Sequence, residues 1–198
     1  MLTQKPPIEI TALVIDKTGS MGEKDYPPSR LDAARAAALA FLKRKRVIDG
    51  RDRTAVVGFD ERAFLVSAFG RHPVEARTDL AALSAHGETS ITAGLRLGLD
   101  LVRAEGKRFP GATLRGLMLS DGEHNHGRGP LEEGVVSDLE RHHVIVDCVG
   151  IGGAGERLLR EIAKRTGGEY VRCQDMEMLI RRYDELAEKK SAALTRYP

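Results

Sequence analysis

The chain has no tryptophan, four tyrosines and five phenylalanines in 198 residues. That shortage of flat rings leaves little on which unpaired bases could stack, and it argues against an aromatic platform for single-stranded nucleic acid. An excess of positive charge is also missing: 31 Lys and Arg stand against 29 Asp and Glu, for a formal net charge of +2. The two signs are interspersed, so no surface of the kind a nucleic acid needs is expected. The strongest basic run, Lys43 to Arg46, is short. It ends a predicted helix, where cations suit the negative end of the dipole in a solvated last turn. Two cysteines, Cys148 and Cys173, both fall inside apolar strand-like runs and suggest no disulfide framework. No stretch approaches the roughly 20 apolar residues of a membrane span. The apolar run Ile8 to Ile15 is too short for a signal peptide, carries Glu9, and leads into Asp16 rather than a small-residue cleavage site. The expectation is a soluble, cytoplasmic protein with no nucleic-acid and no membrane partner.

What is present is enough for one core: 41% hydrophobic and 30% charged residues over a length typical of one domain, expected to span residues 1–198. Glu9 to Asp16, Leu114 to Ser120 and Val144 to Ile151 are too continuously apolar to have a wet face, and read as buried parallel strands. Thr54 to Phe59 and Ala63 to Phe69, separated by Asp60, Glu61 and Arg62, suit a hairpin. Glu169 to Cys173 reads as a short edge strand. Helices are predicted from a Ser29 cap to about Lys45, and over Thr92 to Ala104, Leu131 to His142, Glu156 to Arg165 and Met176 to Ala193. Gly167 and Gly168 follow the fourth of these as a stop signal. Strands alternating with helices describe an α/β domain with a doubly wound, mostly parallel central sheet, one antiparallel edge strand and helices on both faces. Such sheets bind ligands beyond the carboxyl ends of their strands, where strand order reverses.

The polar loops at those ends carry the chemistry. Asp16, Thr18 and Ser20 end the first strand in DKTGSM; Asp121 ends the strand Leu114 to Ser120 in LSDGE; and GETSI places Thr89 just before a helix. Two carboxylates and several hydroxyls are oxygen donors, the ligands that hard cations such as Mg²⁺ take. The set resembles the metal-ion-dependent adhesion site (MIDAS) of von Willebrand factor type A domains: Asp-x-Ser-x-Ser after the first strand, a Thr in a Gly-x-Thr-x-Ile loop, and an Asp in a Ser/Thr-Asp-Gly step after the fourth strand. Thr18 stands where that pattern has Ser, which keeps the hydroxyl and adds a methyl. The resemblance covers nearly the whole chain and implies a Rossmann-like fold and a non-enzymatic protein-interaction module. It implies that Thr18, Ser20 and Thr89 touch a Mg²⁺ directly while Asp16 and Asp121 act largely through waters, with a Glu or Asp of a partner protein completing the cation. Mn²⁺ fits the same oxygens. Intracellular members of that family often work beside AAA+ ATPases, so the resemblance extends to an ATPase of that class as partner.

A competing resemblance starts from the same letters. DKTGS is one swap of a hydroxyl residue, Ser for Thr, from the DKTGT loop of P-type pumps and haloacid-dehalogenase-like enzymes, in which Asp16 would be a phosphoryl-accepting nucleophile and SDGEHN would hold Mg²⁺. That reading needs a lysine shortly before the second Asp. The nearest cations, Lys107 and Arg108, precede Phe109-Pro110-Gly111 instead, and GETSI is left without a role. His124 and His126, with Glu123, could form a zinc-like cluster, but no third nitrogen or sulfur ligand stands at a recognisable spacing. They are expected at the rim of the metal face. Gly150 to Gly155 is a weak nucleotide signal and resembles the family's usual turn after its fifth strand.

Overall fold

The continuous apolar runs become strands covered on both faces. In the computed structural model, which describes residues 7–122, 124–153 and 155–189, all eight residues of β1 (Glu9–Asp16) are buried. The chain continues through α1 (Arg30–Ile48), β2 (Arg53–Phe59), β3 (Ala63–Ser67), α2 (Pro73–Ala81), α3 (Ile91–Arg108), β4 (Thr113–Ser120), α4 (Val135–Arg141), β5 (Ile145–Gly150), α5 (Glu156–Thr166), β6 (Tyr170–Arg172) and α6 (Met176–Glu188). The strand order is β3-β2-β1-β4-β5-β6. β3 alone runs antiparallel, against β2, while β1 pairs in parallel with both β2 and β4. Connections therefore leave β1 in opposite directions, which makes the carboxyl ends of β1 and β4 the switch point of the sheet.

Successive strand residues face opposite sides, and the core divides accordingly. Leu13, Ile15, Val56, Leu117 and Val149 pack under α1, α2 and α6 against Phe41, Leu80 and Tyr183. Ala12, Val14, Val57, Met118 and Cys148 pack under α3, α4 and α5 against Leu95, Leu139 and Ile162. Both cysteines are buried free thiols. No helix among the described residues is long and apolar enough to cross a membrane.

The α/β architecture expected from the sequence is the one observed, with local differences that have physical causes. α1 starts where the cap predicts, the Ser29 side chain accepting from the Asp32 amide, but it continues past Lys45 to Ile48. Lys45 is not solvated: it is 3% exposed, with Nζ 2.7 Å from Glu9 Oε1 and 3.0 Å from Asp52 Oδ2. The helix of Leu131 to His142 begins only at Val135, because Gly134 before it adopts φ 73°. α2 was not anticipated. It is a short helix opened by Pro73, with the His72 ring accepting from the Val74 amide in place of the usual hydroxyl cap. The predicted end of the last helix at Ala193 lies outside the described residues.

Lys45 belongs to a buried ionic layer at the amino ends of the strands. Arg115, 1% exposed on β4, donates from Nε to Asp147 Oδ2 at 2.8 Å and from Nη1 to the carbonyl oxygens of Leu186 at 2.8 Å and Lys189 at 3.0 Å, and lies 3.3 Å from Glu9 Oε1. Asp52 Oδ1 accepts from the Glu9 amide, and Asp147 Oδ1 from the Glu169 amide. Burial pushes the Glu9 carboxyl up, but Arg115 and Lys45 overcome it and hold the group below its ordinary range.

Candidate metal centre

At the opposite end of the strands, the loop after β1 is built on its last residue. The Asp16 carboxylate is fully buried and is held at both oxygens: Oδ1 accepts from the Thr18 amide at 2.9 Å, and Oδ2 from the Ser120 hydroxyl at 2.6 Å. Gly19–Gly22 form a 3-10 turn capped by Thr18, in which the Met21 amide donates to Thr18 O and the Met21 side chain is buried in the core. The turn brings the hydroxyls of Thr18 and Ser20 to 3.3 Å. Thr18 is buried, Ser20 is half-buried and Gly19 is exposed, so the hydroxyl pair sits at the edge of solvent.

Backbone bonds stitch the other two loops to this one. The Gly19 amide donates to Gly87 O at 3.1 Å and the His86 amide to Lys17 O at 2.9 Å, which seats GETSI alongside DKTGSM. Ser90 caps α3, accepting from the Ala93 amide, and leaves Thr89 immediately before the cap. The Thr89 amide donates to Asn125 Oδ1 at 2.7 Å, and Thr89 O accepts from the Asn125 and His126 amides, which joins it to the loop after β4. That loop turns at Gly122, φ 85°, where a Cβ would stand 2.7 Å from Gly155 C. The contact holds the Asp121 backbone hard against the β5–α5 loop.

Asp16, Thr18, Ser20, Thr89 and Asp121 thus share one end of the sheet, at the switch point. Whether they suit a hard cation turns on Asp121. It is 4% exposed, and its Oδ1 is buried with no hydrogen-bond partner among the described residues. An unpaired buried carboxylate oxygen is costly unless something positive or protic meets it. Asp16 shows the same excess of negative charge: burial pushes its carboxyl up to about 6, against the hydrogen bonds from Ser120 and Thr18, and the Asp121 charge adds to the rise. A Mg²⁺ beside hydroxyl donors would relieve both, so the residues fit the ion.

The nucleophile reading of Asp16 finds no such support, since neither of its oxygens is exposed or unengaged. Lys17 is buried in an ion pair with Asp60. Lys107 and Arg108 end α3, about 25 Å along the helix from Ser90 at its site end. The histidines are otherwise engaged: His124 Nδ1 accepts from the Ile91 amide, and His126 Nδ1 lies 2.9 Å from Glu88 Oε2. Glu123 lies outside the described residues. Among those described, no three His, Cys, Asp or Glu side chains gather as a ligand set.

Sequence reasoning missed three residues here. Ser120 both orients Asp16 and accepts from the Gly122 amide at 2.9 Å; its signal was its place beside Asp121. Asn125 positions Thr89, and Arg30 reaches Asp121 from the first turn of α1. No spacing in the chain joins either pair.

Comparison with known proteins bears on the family and the fold. A family model described as von Willebrand factor type A domain matches residues 11–123. Calcium-activated chloride channel regulator 4 from Homo sapiens is 29% identical over 170 residues, covering 84% of this chain and 17% of the human protein. Among solved structures, a von Willebrand factor type A protein from Catenulispora acidiphila superposes with a TM-score of 0.78 at 21% identity, over 92% of this chain and 42% of that one. The conserved hypothetical protein BatB from Bacteroides thetaiotaomicron superposes with a TM-score of 0.73 at 20% identity, over 92% of this chain and all of that one. The chain therefore spans less than half the length of the first two proteins, and the structural likenesses speak for the fold alone.

Proposed function

The chain belongs to the von Willebrand factor type A domain family, and on that premise we propose that it is a divalent-cation-dependent protein-interaction module. In this reading the Thr18, Ser20 and Thr89 hydroxyls hold a Mg²⁺, or Mn²⁺, while Asp16 and Asp121 orient its waters and offset its charge. The observation that carries it is the buried Asp121 Oδ1, without a hydrogen-bond partner among the described residues, at the same end of the sheet as the converging hydroxyls of Thr18 and Ser20. Neutral hydroxyl donors leave most of the cation's charge uncancelled. A carboxylate arriving from solvent at the Ser20 edge is the natural group to complete it, and a partner's Glu or Asp supplies one. On family resemblance alone, the proposal extends to an AAA+ ATPase as partner in the cytoplasm.

This chain's residues supply the frame rather than a reaction. Ser120 and the Thr18 amide fix Asp16, the 3-10 turn fixes the two hydroxyls, and Asn125 fixes Thr89. The immobilised chain should capture its partner in Mg²⁺ and release it in EDTA, and Ser20→Ala should capture none while keeping the wild-type circular dichroism spectrum. Capture that survives both EDTA and Ser20→Ala would contradict the reading.

A further inference from the structure

Arg30 has no place in that ligand set, yet it touches the loops after β1, β4 and β5. It is 8% exposed at the first position of α1, and its guanidinium folds back over the turn after β1. Nε lies 2.8 and 3.1 Å from the two Asp25 oxygens, and Nη2 lies 2.7 Å from both Asp25 Oδ2 and Glu23 Oε2. Nη1 reaches Ser20 O at 3.5 Å and Asp121 Oδ2 at 3.4 Å. On the remaining side the guanidinium packs against Gly152, φ 67°, where a Cβ would stand 3.0 Å from Cζ. The Asp121 carboxylate is thereby divided: Oδ2 faces the guanidinium and Oδ1 has no hydrogen-bond partner among the described residues.

We propose that Arg30 is a positioning residue for the cation site, holding Asp121 through Oδ2 so that Oδ1 is the oxygen presented to the metal or its water. The inference rests on the metal-dependent reading above and assigns a residue to it. Two effects of a guanidinium beside a cation oppose each other: orientation of Asp121 aids binding, and like charge opposes it. The distances decide between them. Asp25 and Glu23, at 2.7 Å, lie closer to the guanidinium than Asp121 does and neutralise most of its charge. Its fork still anchors three loops at once, which a single ammonium point charge cannot do.

Calorimetric Mg²⁺ titration of the wild type, Arg30→Met and Arg30→Lys tests this. Both variants should bind Mg²⁺ about 10- to 100-fold more weakly, the range seen when a residue orienting a metal ligand is lost. Lys should fail although it keeps the charge. Unchanged affinity in folded variants would reduce Arg30 to a structural residue, and tighter binding by Arg30→Met would show that charge repulsion dominates; either overturns the proposal. Should both variants fail to fold, Asp25→Asn, which loosens the guanidinium's anchor, should weaken Mg²⁺ in the same direction. That loss should persist in high salt, where a through-space effect of the removed charge is screened. A loss that salt abolishes, or no loss, overturns the proposal. A wild type that binds no Mg²⁺ fails the underlying reading instead, and is distinguished by the first titration.

Discussion

Arg115→Met is expected to cost about 3–5 kcal/mol of folding free energy, the range for removing one partner of a buried ionic group. In a domain of this size that is a fall in Tm of roughly 6–20 °C. Methionine fills most of the volume, so the cost is not a cavity. It comes from Asp147, which loses the Nε bond, from Glu9, which loses one of the two cations beside it, and from the carbonyls of Leu186 and Lys189, which lose a donor at the end of α6. The pH dependence identifies the cause. In the wild type the Glu9 carboxyl is held low, so its contribution is present above the unfolded-state pKa and is lost only as pH falls through the lower folded value. Without the guanidinium the Glu9 carboxyl rises from that low value, because burial is then opposed by Lys45 and Thr11 without Arg115, and acid that protonates it relieves part of the variant's deficit. Thermal melts at pH 5 and pH 7 should therefore show a smaller deficit for Arg115→Met at pH 5. A deficit equal at both would mean the charges were never the issue.

In the metal-free wild type Asp16 should withdraw about 3 kcal/mol of stability in all as pH rises from below its ordinary value to above its folded one, at 1.36 kcal/mol per pKa unit. Its folded pKa, pushed up to about 6, stands above the ordinary 3.8. The folded state thus holds the proton more tightly, and this contribution is fully present below the unfolded pKa and lost as pH rises through about 6. Asp16→Asn removes this component of the slope. The Asn carbonyl can still accept from the Thr18 amide, so comparing the two proteins isolates one group. Mg²⁺ requires the ionised carboxylate and should restore the lost stability at pH 7 while adding little at pH 4.5. Denaturant unfolding across that range, with and without Mg²⁺, measures both effects. Parallel pH profiles for wild type and Asp16→Asn would remove Asp16 from the account.

The parts of the fold legible in the sequence were those whose cause is local. β1 could be read residue for residue because a strand covered on both faces must be continuously apolar, and Ser29 announced α1 because a cap acts within one turn. The site loops were legible for a related reason: oxygen-bearing residues directly after buried strands stand out against them. What escaped depends on distant partners. Arg115 interrupts an apolar strand as a lone charge and makes sense only beside Glu9, Asp147 and the end of α6. Lys45 was read as the solvated end of a basic run, because nothing within a turn of it reveals Glu9. α2 lacked a hydroxyl cap and buries only Pro73, Ala76 and Leu80, too narrow a stripe to show a period. Arg30 and Asp121 are joined only by the topology that lays α1 across the end of β4.

The letters DKTGSM fit a phosphorylation loop as readily as a cation cradle, and the surroundings of Asp16 separate the two. A nucleophile needs an oxygen free to attack, whereas Asp16 has both oxygens committed to the frame of its own loop. Asp121 Oδ1, by contrast, is buried with no hydrogen-bond partner among the described residues.

The most direct measurement is the anomalous difference density of crystals grown with Mn²⁺. The account predicts one peak within coordinating reach of the Thr18, Ser20 and Thr89 hydroxyls, with Asp16 and Asp121 behind it, and no such peak in Ser20→Ala. A wild-type map without density there, or with the ion at His124 and His126 instead, would contradict it.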